Sequence, residues 1–243
     1  MAARTTDRRD RLRRATVAEI HSAARTLLIT HGAAAVTINA VAREMGMSGP
    51  ALYHYYSSRD ELVGAVTADF FRELTATLQA TRDAHASSSP ARRLLATSRA
   101  MRSWAITHPA EFGWVFASPI PAPKERRPGS PRYLAGRDFE EVFLEQVVDL
   151  WETAPFPVPR PEDLAPSLRA QARDYAAEIG GRLPPEAVHV FLSCWIRLYG
   201  LLCMEVLKQL DFVYSDLEPV FEECLRDICP TLGLEYEPPA PAR

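Results

Sequence analysis

Residues 37–62 read TINAVAREMGMSGPALYHYYSSRDEL, and the rest of the chain is organised around this stretch. Val36, Ile38, Val41, Ala42 and Met45 recur at helical spacing, which gives a first short helix one apolar face. Gly46 ends it, because a residue without Cβ takes the left-handed conformation that closes a helix. Ser48 is placed to cap a second helix, Gly49 to Tyr55, and Pro50 suits its first turn, where a missing N–H costs nothing. Leu52 faces the small core of such a unit, while Tyr53, His54 and Tyr55 carry polar tips. Two short helices joined by a glycine turn form a helix-turn-helix, which lays its second helix in the major groove of DNA.

At these residues the sequence resembles the TetR-type transcriptional regulators. Gly46-Met47-Ser48-Gly49-Pro50-Ala51-Leu52-Tyr53-His54-Tyr55-Tyr56, then Ser58-Arg59-Asp60-Glu61-Leu62, is similar to that family's G-V-S-x-x-x-L-Y-x-Y-F pattern and the segment after it. Tyr56 stands where Phe is usual, and Arg59 where Lys is commoner. Gly32, Val36-Thr37 and Ala40-Val41-Ala42 sit where the family has its first-helix exit and second helix. The resemblance implies an all-α fold: an N-terminal three-helix helix-turn-helix DNA-binding domain plus a larger helical ligand-binding and dimerisation domain. It also implies that Gly49, Pro50, Ala51, Tyr53 and His54 face DNA.

Residue chemistry gives each of these a role. Gly49 and Ala51 have almost no side chain, so they read by close approach or by contact with a thymine methyl. His54 can bond a base edge or a phosphate. Tyr53 and Tyr55 offer hydroxyls to phosphate, which positions a helix without specifying sequence. Thr37, at the start of the first short helix, can hold another phosphate where a helix N-terminus favours an anion. Arg59 is expected to pair with phosphate as well. Tyr56 is expected in the core.

Charge supports the same polarity. Residues 1–59 hold nine arginines against four acidic residues, although the whole chain is net −3. A basic end on an acidic body suits contact with a polyanion at that end. Residues 1–10 are expected to be a flexible basic arm, 11–58 the DNA-binding domain and 59–243 the ligand-binding and dimerisation domain. No apolar stretch follows the arginine-rich start, so no secretory signal is expected, and the location is taken as cytoplasmic. Cys194, Cys203, Cys224 and Cys229 have neither zinc nor CxxC spacing and are expected to act as small apolar residues.

Helices are expected over 11–31, 59–81, 91–107, 110–117, 136–153, 163–179, 184–209 and 216–229, broken by proline-rich stretches at 118–131 and 155–161. Leu12, Ala15, Ile20, Ala23, Ala24, Leu27 and Leu28 make the buried stripe of the first. Ser58 with Glu61 forms a capping-box pattern at the start of the second. No stretch alternates like a strand, so the chain reads as all helix.

Residues 188–207, VHVFLSCWIRLYGLLCMEVL, are apolar nearly all round. Arg197 and Glu205 argue against a membrane span, each costing roughly 2–3 kcal/mol near a bilayer centre. A dimer interface is the better expectation, with Phe191, Trp195, Leu198 and Leu202 meeting Leu217, Phe221 and Leu225 of the last helix. Trp195 to Gly200 weakly resembles a WHG-type C-terminal domain of some TetR-type regulators, with Tyr199 where His is usual. The ligand site is expected among Trp104, His108, Phe116, Phe143, Trp195 and Tyr199, and its effector to be a hydrophobic or aromatic small molecule.

The chain shows no Gly-rich phosphate loop, HExxH, GxSxG or Cys/His metal spacing, so no catalytic residue, metal or cofactor is assigned. The reading is of a homodimeric, ligand-responsive repressor that binds a (pseudo)palindromic DNA operator. The alternative is a TetR-like helical module that binds a protein or small molecule without reading DNA sequence.

Overall fold

The computed structural model describes residues 2–117 and 128–239, and among them there are ten α-helices and no strand. They are α1 Ala2–His31, α2 Ile38–Glu44, α3 Gly49–Tyr53, α4 Arg59–Ala84, α5 Pro90–Thr107, α6 Pro109–Phe116, α7 Pro131–Thr153, α8 Pro166–Glu178, α9 Pro185–Val206 and α10 Glu218–Thr231. They form two compact units, residues 1–73 with 108–138, and 74–107 with 139–243. The boundary expected at residue 58 therefore falls inside a unit, because the small core is completed by the start of α4 and by α6.

In the first unit, α1 turns Ile20, Ala24, Leu27 and Leu28 onto Val36, Ile38 and Val41 around α2, Leu52 of α3, and Leu62, Val66 and Phe70 of α4. Burying each large side chain of this kind stabilises by about 1.5–3 kcal/mol. Trp114 and Val115 of α6 close the cluster, and the Trp114 Nε1–H donates to Thr67 Oγ1 at 2.9 Å. Gly46 has φ +66°, and the Met47 N–H reaches back to the Ala42 carbonyl at 2.8 Å, so α2 ends as its glycine requires.

Several expected boundaries shift for identifiable reasons. α1 begins at Ala2 rather than after a flexible arm. Once a helix is nucleated, each added residue contributes one more backbone bond, and Ala and Arg are strong helix formers. Leu12 is 60% exposed and leaves the expected buried stripe. The capping box is offset by one residue. Glu61 N–H donates to Ser58 Oγ at 3.2 Å, but the Glu61 carboxylate accepts from Ser57 N–H and Ser57 Oγ–H, each at 2.7 Å. Prolines set five starts, with α5 opening at Pro90 and α6 at Pro109. α7, α8 and α9 open at Pro131, Pro166 and Pro185, since a ring without N–H is tolerated only in a first turn. The proline-rich stretch 118–131 lies outside the described residues from 118 to 127.

In the second unit, α9 packs against α5, α8 and α10. Its 22 residues are long and apolar enough to cross a membrane by length and composition, and part of that surface is buried against the neighbouring helices. Glu205 is satisfied by Arg102 of α5 at 2.7 Å. Phe191, Leu198, Leu202, Leu217, Phe221 and Leu225, expected at a subunit interface, are each at most 7% exposed within the single chain. Within the single chain these side chains pack where α9 meets α10. The outward face of α9 is a different set: Ile196, Met204 and Leu207, at 67%, 39% and 43% exposure, followed by exposed Phe212 and Val213.

Candidate nucleic-acid interface and internal cavity

The surface of the helix-turn-helix is built on two fixed ends. At the start of α2, the Thr37 hydroxyl accepts the Ala40 N–H at 3.2 Å, so Thr37 is an N-cap. Ser48, by contrast, makes no side-chain cap; its carbonyl alone receives the Ala51 and Leu52 N–H groups, at 3.0 and 3.3 Å. Leu52 anchors α3 with no exposed surface, and Pro50, Tyr53 and His54 stand out from it into solvent. Gly49 and Ala51 are half-buried. A Cβ on Gly49 would come within 2.8 Å of Asn39 Oδ1, so a larger residue there would displace the Asn39 side chain. Tyr55 is half-buried under the Arg13 guanidinium, which lies 5.3 Å from its ring centroid.

Arg59, expected at phosphate, is exposed at the start of α4 and is also bonded within the chain. Its Nε–H donates to the Val36 carbonyl at 2.9 Å and its Nη2 to the Ala33 carbonyl at 3.4 Å. It adds a donor to the Val36 carbonyl and a second to the Ala33 carbonyl, which already accepts the Val36 N–H at 3.3 Å, and so braces the entry to α2.

Two polar clusters that the sequence reading passed over hold this unit. In the first, His21 of α1 joins Tyr56, at 2.5 Å through Nε2, to the Asp69 carboxylate of α4 through Nδ1. Burial pushes the Tyr56 hydroxyl up to about 12, helped by the charges of Asp69 and Glu61. Burial also pushes Asp69 upward, but its bonds to His21 and Arg72 outweigh this and hold it below the usual carboxylate range. With Asp69 an acceptor, the His21 Nδ1–H donates to it. In the second cluster, Arg25 of α1 donates through Nε to Glu111 of α6 at 2.6 Å and through Nη1 to Glu73 of α4 at 2.7 Å. Glu111 is 3% exposed, and Glu73 also lies 3.5 Å from His108 Nε2. The bond to Glu73, more than that to Glu111, raises the Arg25 guanidinium further despite its burial. The available signal in the sequence was one arginine inside the apolar stripe of α1.

His108 and Phe116, expected at a ligand, therefore belong to the first unit: His108 beside Glu73, and Phe116 against Phe112 and Phe71 at ring separations of 4.8 and 5.7 Å. The cavity lies wholly in the second unit. Leu94, Leu95 and Ser98 of α5, Phe143 and Val147 of α7, and Phe191, Cys194, Trp195 and Leu198 of α9 line it. Leu225, Ile228 and Cys229 of α10, then Leu232 and Leu234, close it around about 500 Å³ of space that is in part open to solvent. Of the six residues expected to bind a ligand, Phe143 and Trp195 line it; three expected interface residues, Phe191, Leu198 and Leu225, do so as well. Tyr199 stacks on Trp195 at 5.7 Å without lining the space, and Trp104 is buried elsewhere at 4% exposure.

The lining is chemically plain. No acidic or basic side chain is among the described lining residues. Ser98 Oγ–H donates to the Leu94 carbonyl at 3.0 Å, and burial pushes the Cys194 and Cys229 thiols up to about 11, so both stay neutral. Arg102 of α5 is not among the lining residues and is bonded to Glu205. Such a cavity selects by shape and apolar contact. Among the described residues, no cluster of His, Cys, Asp and Glu is arranged to hold a metal ion.

Comparison with known proteins agrees with this arrangement. Residues 20–66 match the family described as bacterial regulatory proteins, tetR family, and residues 94–228 match the tetracyclin repressor-like C-terminal domain. HTH-type transcriptional regulators of Mycobacterium tuberculosis and Mycobacterium bovis are 36% identical over 128 residues, which is 51% of this chain and 55% of each relative. The chain thus spans about half the length of the curated relatives it matches. A crystal structure described as that of a regulatory protein, SCO4313, is 30% identical, with a TM-score of 0.64 over 90% of this chain and 97% of that one. A tetR-family regulator from Shewanella sp. PV-4, 14% identical with a TM-score of 0.57 over 87% of this chain and 96% of that one, shares the fold. With its helix-turn-helix and its helical C-terminal unit both matched, the chain belongs to the tetR family of bacterial transcriptional regulators.

Proposed function

We propose that this protein is a homodimeric repressor that binds a (pseudo)palindromic operator and is released by a small apolar effector. The observation that carries the reading is the pairing of two sites in one chain. One is a helix-turn-helix with Pro50, Tyr53 and His54 exposed on a braced α3, and the other is an uncharged cavity in the second unit. Two copies would join through the outward apolar face of α9, Ile196, Met204 and Leu207, rather than through the residues buried inside the chain. That join would set two α3 helices about 34–36 Å apart, one turn of DNA. Tyr53 would position α3 on phosphate and His54 would contact a base edge.

Release would use α4. It runs unbroken from Arg59 to Ala84, contributing to the first unit as far as Glu73 and to the second from Leu74. An effector that fits only one setting of the second unit would bias α4 and move the two α3 helices off their spacing. The shift can be no larger than the effector's difference in affinity for the two settings.

The test is binding to labelled DNA from upstream of the protein's own gene, titrated against salt and unrelated DNA, with sedimentation to fix the stoichiometry. A dimer that outcompetes unrelated DNA and weakens steeply with salt supports the reading. If neither this DNA nor randomised sites are preferred, the protein is instead the partner-binding module.

A further inference from the structure

The segment after α10 forms a wall of the cavity and is held by polar bonds unlike those of any other wall. Leu232 and Leu234 present side chains to the apolar space, and the Leu234 N–H folds back to the Cys229 carbonyl at 2.8 Å. Beyond them, among the described residues up to 239, there is no helix to fix the chain. It is tied down by side chains instead. Tyr236 Oη–H donates to Glu222 of α10 at 2.7 Å, and the Arg226 guanidinium lies 4.6 Å from the Tyr236 ring centroid. Arg99 of α5 grips Glu222 with two bonds of 2.8 Å and also donates to the Glu237 carbonyl at 2.8 Å. Arg92 Nε–H donates to the Glu237 carboxylate at 2.6 Å, and Ser89 donates to the same group. The other walls are packed helices, whose displacement would break many apolar contacts at once. This one can lift by exchanging a few polar bonds, those of Glu237 to Ser89 and Arg92 exposed and those of Arg99 and Tyr236 part-buried, for bonds to water.

We propose that residues 233–237 are a strap that admits the ligand, and that the cavity behind it takes an uncharged, mainly hydrocarbon molecule. The class follows from the lining. An ionised headgroup placed among Phe143, Trp195, Leu198 and Leu225 would lose its hydration and find no opposite charge. The arginines and carboxylates of the strap are already paired with one another, so a charged ligand would have to break those pairs to use them. The inference rests on the effector-site reading only for its regulatory meaning.

The probe is N-phenyl-1-naphthylamine, a neutral dye that brightens in apolar sites, added to the full chain. One molecule per chain should bind and receive energy from Trp195, with the transfer much reduced in Trp195→Phe. Neutral 1-decanol should displace the dye at least tenfold better than decanoate at pH 8. Tyr236→Phe and Arg92→Gln should each speed both association and dissociation several-fold, while the affinity moves less than twofold. Ser98→Trp, which fills the space, should abolish binding; if it fails to fold by circular dichroism, Cys194→Phe serves in its place. Equal displacement by decanoate would overturn the ligand class. Unchanged rates in both strap variants would overturn the strap, and binding that survives a folded filling variant would overturn the site. Operator binding of the same proteins is read separately, so loss of the DNA reading with these dye results intact would leave the strap and cavity standing.

Discussion

The two units solve opposite problems, and their interiors differ accordingly. The first must present a five-residue helix, α3, in one fixed pose, and its packing is cross-braced by directional polar bonds. Arg25 ties α1 to α4 and α6, His21 ties α1 to Tyr56 and α4, and Arg59 ties α4 to the turn before α2. The second holds the cavity, whose lining is apolar, and its charged pairs Arg102–Glu205 and Arg99–Glu222 tie helices together outside that lining. A hydrogen bond is lost when geometry shifts by an ångström, whereas an apolar contact re-forms with another atom. Polar bracing therefore suits the end that reads DNA, and apolar packing the end that adapts.

The largest expected effect tests the bracing. Arg25→Ala strands Glu111, a carboxylate with almost no exposure, and should cost about 2–4 kcal/mol in urea unfolding. The full figure for a buried pair is not reached because the Arg25 side chain keeps 31% exposure. Arg25→Lys should recover only part of this, since an ammonium cannot fork onto both Glu73 and Glu111. A loss below about 0.5 kcal/mol, the level of an ordinary surface change, would mean that the cluster braces nothing.

The matching change in the second unit is milder and forgiving. Leu225→Ala should cost about 2 kcal/mol, the low end for such a truncation, because the site already borders a space. Leu225→Met should cost under about 1.5 kcal/mol and leave dye binding nearly unchanged. If Leu225→Met abolished dye binding while Arg25→Lys were silent, the contrast between the units would be reversed.

Much of this was legible in advance, and the misses have physical causes. The helices and the turn at Gly46 follow from short-range rules, periodicity and the freedom of glycine, so α2, α3 and the start of α4 were readable. Leu52 and Tyr56 were readable as core for the same reason. Contacts distant in sequence were not. Nothing near Arg25 signals Glu111, 86 residues on, and nothing near Arg59 signals that the Val36 carbonyl needs a donor. The apolar faces of α9 and α10 were visible, but periodicity does not say whether a face meets its own chain or another copy. Phe191, Leu198 and Leu225, expected at an interface from that periodicity, line the cavity within the single chain.

A smaller effect separates the reading surface from its support. His54→Ala should leave unfolding unchanged within about 0.5 kcal/mol, since the side chain is exposed. It should weaken operator binding by about 1–2 kcal/mol, read by gel shift at fixed salt. Equal binding by wild type and variant would remove His54 from the interface.

The smallest effect is alkaline. The Tyr56 hydroxyl titrates near 12 in the folded protein and near 10 unfolded, so the unfolded chain loses its proton first. Stability from this group is complete below pH 10 and declines as pH rises from about 10 to about 12. Tyr56→Phe should flatten that decline, at a constant loss from the missing bond to His21. An unchanged slope in chemical unfolding across this window would show that Tyr56 is not held as described.

Amide hydrogen exchange of the full-length protein, with and without saturating N-phenyl-1-naphthylamine, tests the contrast between the units most directly. The account predicts that the dye slows exchange in α5, α9, α10 and residues 233–237, where the cavity is adaptable, and leaves α2 and α3 unchanged. Dye-induced protection centred on α2 and α3, with none in the cavity helices, would contradict it.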